Sequence, residues 1–330
     1  MNRVPLYPLR FEPIYQYRLW GGRRMGSLLS TPLPGEGPIG EAWVLSDRTD
    51  HPSRVANGAL KGQTIGHLMA RSRVELMGRL AARFERFPLL LKFLDATEML
   101  SVQVHPSDAH PDLIPPGESG KTEAWVVVEA EKGSLICAGL RPGTTETGLR
   151  HALADGTIVD CFRSFAPTPG DAVFIPAGTV HTLGGGVVVF EVQQNSDVTF
   201  RLSDWGHLDA KTGKPRPLQV EQAFGCIDFS PGFGGQVAPR VESTTPVLRE
   251  ELFDCAAFRL WRLTGSARFP VGAIAEPRVL VCIAGSGDVE HGAVSYAVDK
   301  GDVWLLPAEA GVCVFRPEGD TTILEIAIPE

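Results

Sequence analysis

Two histidines, a glutamate and a glutamine stand in three short segments whose residue types suit a single metal ion. The first segment is Leu100-Ser-Val-Gln-Val-His-Pro106. Side chains alternate along a strand, so Ser101, Gln103 and His105 share one face and Val102 and Val104 the other. A face of Ser, Gln and His is a poor core face and suits a polar cavity. In Gly120-Lys-Thr-Glu-Ala-Trp125, Lys121 and Glu123 share parity and lead into an apolar strand. In Pro176-Ala-Gly-Thr-Val-His181 a strand ends at the proline, Gly178 permits a tight turn, and His181 starts the next strand. Singly, each has an ordinary reading: a loop histidine, a solvated carboxylate, a polar turn residue. Together, His105, Glu123 and His181 meet the requirement of a catalytic zinc site, which uses about three protein ligands and leaves a position open. Gln103 offers an amide oxygen as a neutral fourth ligand. The set also suits other divalent metals, so one zinc ion per chain is a preference from ligand chemistry.

The elements that must hold these segments read as short strands. Runs rich in Val, Ile and Phe lie at 125–128, 134–138, 172–175, 187–192, 279–283, 303–306, 312–315 and 323–328, with turn residues between them. This predicts a mainly β protein of sandwiches or barrels. Neither βαβ alternation nor a GxGxxG is visible, so a dinucleotide fold is unsupported. One stretch differs: from Thr64 to Phe87 apolar residues recur at helical spacing, which predicts one or two helices ending before Pro88. Shorter helices are expected at 145–154 and 218–226. A faint repeat links Gly170-Asp-Ala-Val-Phe-Ile-Pro176 with Gly301-Asp-Val-Trp-Leu-Leu-Pro307, and only the first copy continues to a histidine. Two related β-domains follow, 1–240 with the chemistry and the helical segment near 60–87, and a smaller degenerate one at 241–330.

Composition narrows the partners. A net charge of -8 argues against nucleic acid, whose phosphates need a basic face, while leaving room for a small anion in a locally basic pocket. The stretch from Met1 to Arg10 has no apolar signal region, and no apolar run is long enough to span a bilayer. Six scattered cysteines without a CxxC pair read as buried thiols of a reducing compartment. With the missing signal, a cytoplasmic protein is expected, and monomer or homodimer is left open. Trp20, Trp43, Trp125 and Trp205 read first as core and interface anchors. His110, His151 and His207 read as surface or loop residues.

The segment from Gly170 to His181 resembles the second consensus motif of the cupin superfamily, whose domains are jelly-roll β-barrels or sandwiches. Where cupins usually carry HxH followed by Glu, this chain has Gln103-Val-His105 and a later Glu123. That departure resembles the type I mannose-6-phosphate isomerases in their short bacterial form. Leu19-Trp-Gly-Gly22, Gly40-Glu-Ala-Trp43, Phe87-Pro-Leu-Leu-Leu-Lys-Phe-Leu-Asp95, Gly120-Lys-Thr-Glu123 and Gly213-Lys-Pro-Arg216 extend the likeness over the first two thirds of the chain. The resemblance implies metal ligands at Gln103, His105, Glu123 and His181, an active-site arginine at Arg201, and an acidic pocket residue at Glu191.

It also implies aldose–ketose isomerisation of mannose 6-phosphate and fructose 6-phosphate, in which a proton moves between C2 and C1 through an enediol. The developing enediolate needs charge stabilisation, assigned to the zinc and Arg201, and a base to move the proton. Glu191, a zinc-bound water or a neutral Lys121 can serve as that base. Ser101, Lys92 and Lys121 are the phosphate candidates. Lys92 lies in an apolar run, where a charge must be paired or reach a cavity, and Asp95 is the nearest sequence partner. The rivals are a cupin dioxygenase or decarboxylase, disfavoured by Gln103 standing where a histidine belongs, and a non-enzymatic sugar-binding sandwich, disfavoured by the complete ligand set. Whether free sugars are also substrates is left open.

Overall fold

The apolar runs pair as antiparallel strands in four sheets. The architecture is a computed structural model, which describes residues 4–29, 31–208 and 212–330. The larger sheet of the N-terminal sandwich runs Gly235–Val237, Ala172–Ile175, Glu123–Ala130, Val187–Gln194, Leu89–Ala96, Ile14–Gly22 and Ile39–Leu45, and the last also pairs with Leu89–Ala96. The facing sheet runs Phe200–Ser203, Val102–Val104, His181–Leu183, Ile136–Leu140 and Phe162–Phe165. Both sheets keep open edges, so the N-terminal part is a sandwich rather than the closed barrel that the pattern also allowed.

Parity decides what each strand buries. Trp125, Val127, Leu94, Val187 and Val189 turn inward against Ile136, Ala138 and Leu183 of the facing sheet. Their neighbours Val126, Leu91, Phe93, Val188 and Phe190 turn outward into a second core. That core is shared with the helix Ile65–Met77 and with Leu260, Val279, Leu305 and Leu324 of the C-terminal part. Burial on both faces is why these strands read as unbroken apolar runs.

The C-terminal part repeats the plan. Its larger sheet runs Leu9–Arg10, Val303–Leu306, Arg278–Ala284, Thr321–Ala327, Arg259–Gly265, Leu248–Asp254 and Arg240–Ser243. Phe269–Gly272, Val312–Pro317, Ser286–His291 and Val294–Asp299 face it. The two copies of the repeated motif, Ala172–Ile175 and Val303–Leu306, each stand second from a sheet edge. Leu9 lies opposite Leu305, so the N-terminal strand belongs to the distant sheet.

The stretch at 64–87 forms the helix Ile65–Met77, with Ser72 outside helical φ/ψ, followed by a 3₁₀ turn at Gly78–Ala82. Thr64 caps it by accepting a hydrogen bond from the His67 N–H. The other expected helices are Glu146–Ala154, capped by Thr145, and Val220–Phe224. Among the described residues no helix is long and apolar enough to cross a membrane.

Candidate active site

The three ligand segments meet between the sheets of the N-terminal sandwich. His181 opens its strand opposite Gln103, and Gln103 lies opposite Arg201, so register alone aligns these three across the smaller sheet. His105 follows just beyond Val102–Val104, and Glu123 is the first residue of Glu123–Ala130 in the facing sheet. Gly178, at φ 95°, makes the turn before His181. Its N–H donates to the His105 carbonyl at 2.8 Å, which ties two ligand segments together.

The ligand atoms of His105, Glu123 and His181 lie within 4.8 Å of one another, and all three residues are buried. Glu123 Oε2 is 3.4 Å from His105 Nε2, and Oε1 is 3.2 Å from His181 Nε2. A tetrahedron with zinc–nitrogen bonds of about 2.0 Å has edges of about 3.3 Å. The Nδ1 atoms face the carbonyls of Val198 and Thr179 at 2.8 and 2.9 Å. Each Nδ1 therefore carries the proton, and each Nε2 turns a lone pair toward Glu123. Neither Glu123 oxygen, although buried, has a well-formed hydrogen bond, and the nearest cation is Lys121 Nζ, 2.7 Å from Oε2. Gln103 closes the group with Nε2 3.1 Å from His181 Nε2, and a half-turn of the amide presents Oε1 instead. Lone pairs converging on a buried point fit a divalent cation, and this donor set fits zinc.

The electrostatics agree. Burial and the Lys121 charge hold the His105 imidazole down at about 3, in the neutral form a ligand needs. Burial alone would raise the Glu123 carboxyl, but Lys121 and the His105 imidazole hold it well below the usual range.

A cavity of about 500 Å³ opens beside the cluster, lined by Ser101, Gln103, Lys92, Lys121, Glu191 and Arg201 among others. A row crosses the larger sheet here: Trp43 is opposite Lys92, Lys92 opposite Glu191, and Glu191 opposite Trp125. Lys92 Nζ lies 3.4 Å from Glu191 Oε1 and 5.1 Å from the Trp43 ring centre. Trp125 Nε1 donates to Glu191 Oε2 at 2.8 Å. Asp95, the expected partner of Lys92, is instead paired with Arg24 at 2.7 Å. Burial and the Glu123 charge raise the Glu191 carboxyl. Burial works to lower Lys121, but Glu123 and Glu191 outweigh it and push the ammonium up to about 12. The protein's own charges thus oppose a neutral Lys121. Burial and Arg216 lower Arg201, whose Nε is buried without a hydrogen-bond partner.

Sequence reasoning missed Arg18, Glu41 and Asp197, which also line the cavity, and His207, assigned to the surface, stands at its wall. Glu41 carried the signal that singled out Lys92, a charge inside an apolar run. Arg18 lies in a half-exposed strand of mixed polarity and carried no such signal. His110 contacts Ser107 at 2.9 Å and takes no part in the site. A larger groove of about 1090 Å³, bordered by Arg48, Phe87, Glu118 and Cys255, holds none of the ligands.

Two tandem cupin-type sandwiches, with a buried His/Glu/His group that could hold a metal ion found among the described residues in the first, define the class: a cupin-fold protein with a candidate metal site. Comparisons narrow it. The family model for the catalytic domain of type I phosphomannose isomerase matches residues 9–119. The chain is 36% identical to the mannose-6-phosphate isomerase of Bacillus subtilis over 315 residues, covering 94% of this chain and 96% of that one. It is 34% identical to the mannose-6-phosphate isomerase of Streptococcus mutans, covering 91% and 92%. The crystal structure of the mannose 6-phosphate isomerase from Bacillus subtilis superposes with a TM-score of 0.88 at 29% identity, covering 97% of this chain and 99% of that one. The chain belongs to the type I mannose-6-phosphate isomerase family, an enzyme family, as its motifs suggested.

Proposed function

We propose that this chain interconverts mannose 6-phosphate and fructose 6-phosphate through an enediol, using one zinc ion held by His105, Glu123, His181 and the Gln103 oxygen. The observation that carries the reading is the convergence of three lone-pair donors beside a cavity of positive balance. Arg18, Lys92, Lys121, Arg201 and Arg216 line that cavity against Glu41, Glu191 and Asp197, in a chain of net charge -8. Such a pocket concentrates a small anion.

Zinc bound there supplies Lewis-acid stabilisation of the enediolate oxygen. Glu191, a buried carboxylate facing the cavity and not spent on the metal, takes the proton from C2 and returns it to C1. The Trp125 N–H and the Lys92 ammonium hold its carboxylate in place. Arg201, which makes no ion pair among the described residues, stabilises the enediolate from the side of Gln103. Lys121, with Nζ 2.7 Å from Glu123 Oε2 at the cavity wall, hydrogen-bonds a sugar oxygen. Ser101, Lys92 and Lys121, the phosphate candidates of the sequence, line the same cavity, Lys121 beside Glu123 and Lys92 beside Glu191, and a phosphorylated metabolite suits the cytoplasm.

A coupled assay for fructose 6-phosphate formation, run with metal analysis before and after chelation, tests the proposal. Activity should disappear with the metal and return with zinc. Turnover that survives complete removal of the metal would sink the metal-dependent mechanism, and no fructose 6-phosphate from the zinc-loaded protein would sink the isomerase reading.

A further inference from the structure

We infer that Arg18, held in place by Glu41, is a specificity-determining residue that recognises the phosphate dianion at the end of the cavity away from the metal. The inference rests on the isomerase reading above and deepens it.

The cavity cations differ in how their charge is committed. Lys121 lies against Glu123, and Lys92 against Glu191. Arg216 spends two donors on the two oxygens of Asp204. Arg201 stands opposite Gln103 across the smaller sheet, on the side of the metal ligands. Arg18 comes from the other side. Beside Arg18 its strand pairs with Ile39–Leu45, so that strand, Leu89–Ala96 and Val187–Gln194 stand between it and the strand of Glu123. Four inter-strand steps of about 4.8 Å put the two backbones roughly 19 Å apart, a span shared by the two side chains, the metal and the sugar. A hexose 6-phosphate carries its phosphate at the opposite end from carbons 1 and 2, so a sugar anchored at the metal directs its phosphate toward this wall.

Glu41 aims the arginine. Its Oε1 accepts from Arg18 Nε at 2.8 Å, and its Oε2 accepts from Trp43 Nε1 at 2.7 Å. Trp43 is the ring against which Lys92 Nζ rests, 5.1 Å from its centre. One buried carboxylate therefore fixes Arg18 directly and Lys92 through Trp43. Arg18 Nη1 reaches the Tyr17 carbonyl at 3.2 Å, and among the described residues Nη2 makes no hydrogen bond. A guanidinium with one edge fixed and donors left over matches the fork geometry that binds phosphate oxygens.

The test uses the full-length zinc-loaded enzyme. KM and kcat for mannose 6-phosphate and the inhibition constant of inorganic phosphate are measured for wild type, Arg18→Gln, Arg18→Lys and Glu41→Gln, with zinc content as the control for an intact site. In Arg18→Gln, KM and the phosphate inhibition constant should rise together, each at least threefold, while kcat falls by a smaller factor. Glu41→Gln should move both the same way, and Arg18→Lys, which keeps charge without the fork, should fall between wild type and Arg18→Gln. A phosphate inhibition constant within threefold of wild type in Arg18→Gln overturns the inference, as does a wild type that phosphate does not inhibit competitively. If Arg18→Gln loses its zinc, the same threefold line is applied to Arg18→Lys. A zinc-loaded wild type inactive on mannose 6-phosphate sinks the isomerase reading itself, whereas an active wild type with an unresponsive Arg18 sinks only this role.

Discussion

Glu123 and Glu191 flank one cavity, and their surroundings push them apart. Lys121 keeps Glu123 ionised, while burial makes Glu191 the better proton acceptor. Two carboxyls driven in opposite directions suit the separate roles proposed for them, ligand and base. Glu191→Gln should lower kcat by about 10²–10⁴ with zinc content unchanged. A fall of less than tenfold would hand proton transfer to another group. The Glu41 carboxyl gives a prediction about stability. Burial would raise it, but Arg18 and Lys92 hold it at about 2, against 4.5 for an ordinary glutamate. A depressed carboxyl stabilises the fold above its unfolded value, and the contribution fades as pH falls from about 4.5 toward 2, a span worth on the order of 3 kcal/mol. Acid titration of unfolding free energy should therefore fall less steeply over that window in Glu41→Gln than in wild type. Equal slopes would mean that Glu41 is not held ionised by its neighbours. At this scale the buried His105, Glu123 and His181 group was legible because histidine and glutamate at strand parity have few other uses. Lys92 was legible because it interrupts an apolar run. Arg18 was not, since an arginine on a strand of mixed polarity looks like solvated surface until the fold closes over it.

Strand pairing explains how side chains so distant in sequence reach one point. The row Trp43, Lys92, Glu191, Trp125 is a product of register on four strands, and a slip of one residue would turn every member to the opposite face. The second sandwich keeps the frame without the chemistry. Thr321–Ala327 occupies the place that Val187–Gln194 holds in the first, and Glu325 lies between Leu280 and Trp261 as Glu191 lies between Trp125 and Lys92. Glu325 is spent on Arg249 and on the Gly272 N–H, a structural use of the same site. The apolar strands were legible from composition. Ile14–Gly22 was not, because its exposed residues break the period. The turn at Gly178 is where an element controls the site. At φ 95° a side chain is strained, and a Cβ there would stand 3.0 Å from the Cys226 carbonyl oxygen. Gly178→Ala should cost roughly 1–2 kcal/mol of stability from the left-handed backbone alone. Because the Gly178 N–H holds the His105 carbonyl, zinc affinity should fall in the same variant. Competition with a chelator and thermal unfolding measure the two effects, and unchanged zinc affinity would detach the turn from the metal site.

The repeat in the sequence suggests two domains dividing near residue 240, yet the core is not divided there. One cluster joins Phe93, Val126 and Phe190 of the first sandwich to Leu260, Val279 and Leu324 of the second, with Leu68 and Met77 of the helix wedged among them. Leu9–Arg10, at the start of the chain, completes the sheet at its far end. No local pattern announces that pairing, because a two-residue strand has no period and its partner lies nearly three hundred residues away. We propose that 1–240 and 241–330 are architectural halves of one cooperative unit. Ending the chain before Arg240 would bare the outward face of the larger N-terminal sheet, including Leu91, Phe93, Val188 and Phe190. Burying side chains of that size is worth about 1.5–3 kcal/mol each, so these four alone amount to roughly 6–12 kcal/mol, comparable with the 5–15 kcal/mol by which a domain is stable. The full chain should therefore unfold in one calorimetric transition with equal calorimetric and van't Hoff enthalpies. The chain ending before Arg240 should show no cooperative transition and bind dyes that report exposed apolar surface. Two separable transitions in the full chain, or a sharp one in the truncated chain, would mean that each sandwich folds by itself and that the shared core only docks them.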